Sequence, residues 1–398
     1  MNRPFIRLSL LLGLSAIASS GAAQTDVEAA ASNGHRHAAH FLAHDVATGL
    51  ADGYQIVIAD IDGDRDVDLL PVASGLSELA WFEFPAWQRH VITGDLTRPE
   101  NVDAYDIDRD GIPEIGMVSG FSQSPSRSAG IVTILTHAGD PRGPWSAREI
   151  DRLPTSHRVG WVDIEGDGNK VLVNAPLAGA TAEPPEFRTD NPLVYYRPGE
   201  WRRTLIATTP GVVHGFLVSD WSGRGRESVL TAGFAGVFVD ELEQGSWRRS
   251  RIVAGDPAAW PQSGASEIAE LDLNGQKLLA TIEPWHGNKV VVYQRRRDGW
   301  ARSVIDESAG LGHAVVPVDL DGDGTEELVV ADRGDERRGV YIYTARDPQG
   351  LSWDKEVLDG SMQASSCAAA DLSGDGRPDL VCIGRATEEL RWYENLGD

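Results

Sequence analysis

Short apolar runs rich in Val, Ile, Leu and Tyr recur along the chain, each bounded by Gly, Pro or Asp, a pattern that favours strands over helices. The runs are organised as a repeat. Seven segments share one plan: a first apolar run, an acidic turn, a second run, a third run and a Trp-led segment. The turns are Asp60-Ile-Asp62-Gly-Asp64, Asp106-Ile-Asp108-Arg-Asp110, Asp163-Ile-Glu165-Gly-Asp167, Asp220-Trp-Ser222-Gly-Arg224, Asp272-Leu-Asn274-Gly-Gln276, Asp319-Leu-Asp321-Gly-Asp323 and Asp371-Leu-Ser373-Gly-Asp375. Their first residues lie 46, 57, 57, 52, 47 and 52 positions apart.

Trp87, Trp145, Trp201, Trp247, Trp300 and Trp353 lead the last segments, each with an aliphatic residue five positions on. Six such segments serve seven repeats. The missing one is at the other end of the chain, where Phe41 is followed five positions later by Val46. A closed ring accounts for this: His40 to Ala47 is the outermost strand of the last unit. Four strands per unit at a period of about 50 residues predicts an all-β, seven-bladed β-propeller forming a single domain from residue 24 to 398. The recurrent Trp set is expected to fill space between blades, and Pro176 to Asn191 reads as an insertion within blade three.

Composition narrows the partners. With 36 Lys+Arg against 60 Asp+Glu the formal net charge is −24, which argues against nucleic acid or an anionic membrane as partner. The only long apolar run is Leu8 to Ala18, preceded by Arg3 and Arg7 and followed by Gly21, Ala22 and Ala23. That is the layout of a cleavable secretory signal over residues 1–23, and it is too short to span a bilayer. The mature protein is expected to be exported, periplasmic or secreted.

The acidic turns suit a hard cation, which needs several oxygen ligands on one short loop. Repeat one offers Asp60, Asp62, Asp64 and Asp68; repeat two Asp106, Asp108, Asp110 and Glu114; repeat six Asp319, Asp321, Asp323 and Glu327; repeat seven Asp371, Ser373, Asp375 and Asp379. The last ligand stands eight positions after the first in all four. These loops resemble those of the FG-GAP/VCBS repeat family, whose blades carry Asp-x-Asp-x-Asp-Gly-x-x-Asp; the resemblance implies a propeller with structural Ca²⁺ in blades one, two, six and seven. Asx-type turns without an ion are the competing reading. Repeats three, four and five depart from the pattern and are expected to be such turns.

Candidate chemistry gathers at the opposite end of the same strands. The residue six before each turn is Tyr54, Glu100, His157, His214, Ser266, His313 and Ser365, and the next is Gln55, Asn101, Arg158, Gly215, Glu267, Ala314 and Ser366. Innermost strands converge on the axis, so these residues should ring the channel mouth. Three of only ten histidines share this register, and the ends of the second strands add Glu283, Pro284, Trp285, His286 and Asn288, with Arg333 and Arg385. His35, His37, His40 and His44 form a separate cluster read as surface. Trp285 suits either rim packing or stacking on a sugar.

Proton abstraction beside a carbonyl or carboxylate wants a base near neutral pH, a cation for the developing enolate and an acid for the leaving oxygen. His157, His214, His286 and His313, with Arg158, Glu267 and Tyr54, supply these roles for a β-elimination. The Glu283-Pro-Trp-His-Gly-Asn288 segment and the His-led first strands resemble the propeller of aldos-2-ulose dehydratases and of seven-bladed polysaccharide lyases of the rhamnosyl-glucuronate type. That resemblance implies a carbon–oxygen lyase acting on a carbohydrate, a keto-sugar or a uronate. Two other readings stand beside it: a transition metal held by His157, His214 and His313 with Glu267 as base, and a non-catalytic platform binding glycan or protein. No GxSxG, HExxH, P-loop or CxxC motif is present.

Cys367 and Cys382 flank the last acidic turn at nearly equal distances. Antiparallel pairing about that turn puts them opposite each other, where either a disulfide or two buried free thiols would fit.

Overall fold

Seven four-stranded antiparallel sheets, one per repeat, make up the computed structural model, which describes residues 39–397. Six sheets use four consecutive strands. In the seventh the spatial order places Phe41–Ala47 outside Leu390–Asn395, Asp379–Gly384 and Ala364–Ala370, so the ends of the ring are closed by hydrogen bonds. The pairing continues past the strand, with the His40 N–H donating to the Gly397 carbonyl and the Leu396 N–H to the His40 carbonyl. The closing strand expected at His40 to Ala47 is therefore found. The signal-like segment, His35 and His37 lie outside the described residues. No helix among those described is long and apolar enough to cross a membrane.

Second strands are buried on both faces, as Asp68–Ala73 and Glu327–Asp332 show by having every residue inside. The core sits between blades, where each neighbouring pair shares an apolar cluster: Ile61, Trp81, Ile115 and Met117 join blades one and two, and Val329, Ile342, Met362 and Leu380 join six and seven. Each recurrent Trp packs on the cluster towards the preceding blade, Trp87 against Val381 and Leu390, Trp300 against Leu279 and Val291. Cys367 and Cys382 are direct cross-strand partners and form a disulfide. The blade-three insertion lies between strands ending at Pro176 and starting at Asp190. Its Leu177, Ala182 and Phe187 pack with Phe121, Phe234 and Trp285 into an apolar cap over one side of the ring.

The innermost strands share a local irregularity that aims the candidate residues. In blades one, three, four, six and seven the register slips by one at Tyr54, His157, His214, His313 and Ser365, a β-bulge. Blades two and five do the same at the strand start, where Glu100 and Asn101 share Val118, and Ser266 and Glu267 share Ile282. A bulge sets two successive side chains against one partner residue. Both the residue six before the turn and the one after it can then face the channel, against the strict alternation of a regular strand.

Candidate functional site

The bulges deliver Tyr54, His157, Arg158, His214, Glu267 and His313 to a single throat on the ring axis, and the turn after the second strand of blade five adds His286. All seven residues expected there are brought together. They separate two cavities. One, of about 100 Å³, opens at the mouth and is lined by Tyr54, His157, His214 and His286 among others. The second, of about 180 Å³, lies beneath, lined by Tyr54, Arg158, Glu267 and His313. Gly215 keeps this layer tight: a Cβ there would stand 2.7 Å from the Ser266 carbonyl and 3.0 Å from the Glu267 backbone. His286 takes a positive φ of 48°, an uncommon conformation that the turn imposes.

Two subsets are distinct. The Tyr54 hydroxyl lies at hydrogen-bond distance, 2.6 Å, from His157 Nε2, and Glu100 stands 3.7 Å from the same nitrogen. His214, His286 and His313 form the second subset, with one ring nitrogen of each within 4.8 Å of the others. The trio expected to hold a metal, His157, His214 and His313, is thereby corrected: His157 turns to Tyr54, and His286, on a turn whose register the strand pattern does not set, takes its place.

Hydrogen bonding fixes the tautomers of two members of the trio. His214 Nδ1 is 2.6 Å from Glu267 Oε1, and His313 Nδ1 donates to the Ser365 carbonyl at 2.6 Å. Both rings therefore turn an Nε2 lone pair inward; that of His214 meets His286 Nε2 at 2.9 Å, and that of His313 is buried with no partner. Glu267 Oε1 also accepts from Arg158 Nη2 at 3.1 Å. Burial holds all four imidazoles well below their ordinary pKa, helped by Arg158 at His157 and His214 and by Arg333 at His313. They are uncharged at neutral pH, the state in which imidazole is a ligand or base. Burial likewise raises Glu100 and Glu267 to about 7 and pushes the Tyr54 phenol up, against the pull of Arg158.

Other sequence candidates play other parts. Glu283 is fully buried behind the site, bound by Thr281, Tyr293 and Arg302. Asn288 bonds the Glu307 carbonyl. Arg333 reaches His286 Nε2 at 3.1 Å, and Arg385 pairs with Asp52 at 3.2 Å. His44 stacks on Trp392 and pairs with Glu394. The sequence pattern had singled out neither Arg98 nor Phe121, which line the mouth from connecting segments outside the strand register.

At the far end of the strands, three acidic loops gather carboxylate oxygens within 4.8 Å: Asp60, Asp62 and Asp68; Asp106, Asp108 and Glu114; Asp319, Asp321 and Glu327. Asp64, Asp110 and Asp323 instead accept the backbone N–H two residues on. In blade six Asp319 Oδ1 and Glu327 Oε1 are buried without a hydrogen bond, and burial with the neighbouring carboxylates raises Glu327 to about 8. A cation fits there. In blade one Arg142 already reaches Asp62 and Glu83. Blade seven does not gather its set among the described residues: Ser373 replaces the middle carboxylate, Asp375 pairs with Arg377, and Asp379 is held by the N–H groups of Leu372, Ser373 and Asn395. In blades three and five the N–H of the first Asp goes to a Glu of the next blade, Glu227 and Glu326.

Comparison with known proteins agrees with the resemblances read from the motifs. Residues 319–382 match the FG-GAP-like repeat, and residues 129–296 match the aldos-2-ulose dehydratase beta-propeller domain. The second match includes His157, Arg158, His214, Glu267 and His286, and excludes Tyr54, His313 and Arg333. The aldos-2-ulose dehydratase of Phanerodontia chrysosporium is 23% identical over 363 residues, covering 81% of this chain but 39% of that protein. The chain thus spans about two fifths of the length of this relative, and what it resembles there is a propeller: it is a seven-bladed β-propeller carrying an FG-GAP-like repeat, similar to the propeller domain of aldos-2-ulose dehydratases.

Proposed function

We propose that the throat is a carbon–oxygen lyase site performing β-elimination on a sugar whose breaking C–H bond adjoins a keto or carboxylate group. The observation that carries this reading is the placement of a neutral Tyr54–His157 proton pair beside three neutral imidazoles, two of which, His214 and His313, turn a lone pair inward. The name of the dehydratase relative supports it. His214, His286 and His313 would hold a divalent transition metal, which supplies Lewis-acid polarisation of the substrate oxygen next to the acidic carbon. Glu267 orients His214 as a carboxylate partner behind a metal-binding imidazole.

Tyr54 and His157 move the proton. The phenol proton shifts to His157 Nε2, and Tyr54 Oη takes the C–H proton; the electron pair of that bond becomes the C=C bond as the C–O bond breaks. The proton held on His157 then passes to the leaving oxygen, restoring the pair. In the acidic loops, chiefly that of blade six, we propose calcium as a structural ion. Export fits the Cys367–Cys382 disulfide, which persists in an oxidising compartment.

The test is ultraviolet absorbance of the new double bond, with purified protein, a panel of keto-sugars and uronate polysaccharides, and added zinc or chelator. Turnover should fall about 10²- to 10⁴-fold in Tyr54→Phe and His157→Ala. A flat trace across the panel with glycan binding intact would replace the lyase reading with a binding platform.

A further inference from the structure

The mouth is charged opposite to the protein as a whole. In a chain of net charge −24 it is lined by Arg98, Arg333 and Arg385, together with the apolar Phe121, Leu177 and Trp285. Arg385 is offset by Asp52. Arg333 is not offset: it is only 8% exposed, its Nε is buried without a partner, and its Nη2 donates to the neutral ring of His286. Among the described residues no carboxylate lies within ion-pair distance of it. Arg158, Arg249 and Arg302, the other arginines drawn into the interior, all have one, in Glu267, Asp240 and Glu283. The nearest acid on the mouth wall, Glu100, faces Ser74 and His157 instead.

A buried guanidinium without a counter-ion is expensive, and the expense is recovered when an anion supplies the missing acceptor. The guanidinium of arginine carries its charge throughout the neutral range. The planar fork of Arg matches a carboxylate, and the apolar side chains lining the same cavity match the face of a sugar ring.

We infer that the mouth selects a sugar acid: the carboxylate of a uronate binds Arg333, with Arg98 and Arg385 at the rim, while its ring lies towards Trp285 and Phe121. This names the substrate class for the lyase reading and rests on that reading for the reaction, though not for binding. Arg333 is then the residue that separates uronates from neutral sugars of the same shape.

Calorimetric titration of the purified chain with D-glucuronate and D-glucose tests the inference. Wild type should prefer glucuronate. Arg333→Gln should weaken glucuronate about 10- to 100-fold, the loss of a hydrogen bond between charged groups, and leave glucose unchanged. Arg333→Lys should recover part of the loss, and Arg385→Gln, at the exposed rim, guards against misfolding by showing a smaller effect in the same direction. Equal binding of the two sugars to wild type, binding of neither, or a preference that survives in folded Arg333→Gln overturns the inference. The two readings fail separately. A glucuronate preference without any double-bond formation refutes the lyase and leaves this site standing, whereas turnover of a neutral keto-sugar that glucuronate does not inhibit does the reverse.

Discussion

Glu267 makes the sharpest test of the throat, because it touches the proposed metal cluster only through His214. Its Oε1 lies 2.6 Å from His214 Nδ1 and 3.1 Å from Arg158 Nη2. Removing such a partner behind a metal-binding imidazole costs about 10- to 100-fold in metal affinity, or about 1.4–2.8 kcal/mol. Glu267→Gln keeps an acceptor for Nδ1–H and loses only the charge, so it should sit near tenfold. Glu267→Ala frees the ring to rotate and leaves Arg158 unpaired beside the site, so it should approach a hundredfold. The assay is zinc titration of the metal-stripped chain against a chromophoric chelator, with circular dichroism to confirm folding. His214→Ala, His286→Ala and His313→Ala should each weaken zinc more than Glu267→Gln, while His157→Ala should leave it unchanged. Wild-type zinc affinity in both Glu267→Ala and His214→Ala would refute a metal at this cluster; a loss in His157→Ala equal to that in His286→Ala would restore the trio drawn from strand register.

Three further outcomes concern stability. Cys367→Ala with Cys382→Ala opens a loop of sequence separation 15, so the unfolding free energy from urea titration should fall by about 3 kcal/mol, and an unchanged value would show the disulfide to be idle. Calcium at about tenfold above its dissociation constant should stabilise the protein by about 1.4 kcal/mol, lost on chelation. Glu327→Gln should blunt this response and Asp371→Asn should not, since only the blade-six loop holds orphaned buried oxygens of both its first and last acid; equal responses would contradict that ranking. Glu100, 2% exposed, is raised by burial from 4.5 to about 7, so its folded form binds the proton more tightly than the unfolded chain does. The resulting stability is full below pH 4.5 and lost as pH rises through about 7, worth about 3 kcal/mol. Glu100→Gln, neutral throughout, should show a smaller drop across that window, and an identical drop would remove Glu100 as its source.

Blade number, closure by Phe41–Ala47 and the placement of Cys367 opposite Cys382 were legible in the sequence because each follows from a repeat period and an antiparallel register, whereas the bond between the two thiols was not. The convergence of Tyr54, His157, His214 and His313 was legible for the same reason: one offset from the acidic turn marks one height on the axis. The partition within the cluster was not. Whether an imidazole turns to a neighbour's phenol or to the axis depends on contacts between blades, and His157 is drawn off by Tyr54 across a separation of 103 residues. Arg98 escaped notice because it stands in a connecting segment with no periodic position. The acidic loops were legible as turns, yet their inequality was not, since Arg142 reaches Asp62 from the neighbouring blade, 80 residues away.

The bulge joins these two kinds of information. A regular innermost strand would offer the channel every second residue, so His157 and Arg158 would point to opposite faces. With the bulge both reach the throat, and the same holds for Tyr54 with Gln55 and His313 with Ala314. Seven near-equivalent bulges therefore provide about fourteen channel-facing positions on a rigid ring. The backbone device is common to blades that carry histidine and to blade seven, which carries Ser365 and Ser366 at the same two positions. The geometry is thus a property of the repeat, and the chemistry is a property of which side chains occupy it. A variant that moved His214 or His313 to the equivalent bulge of another blade would keep the fold and lose the proposed metal cluster, because the trio depends on His214, His286 and His313 standing on three successive blades.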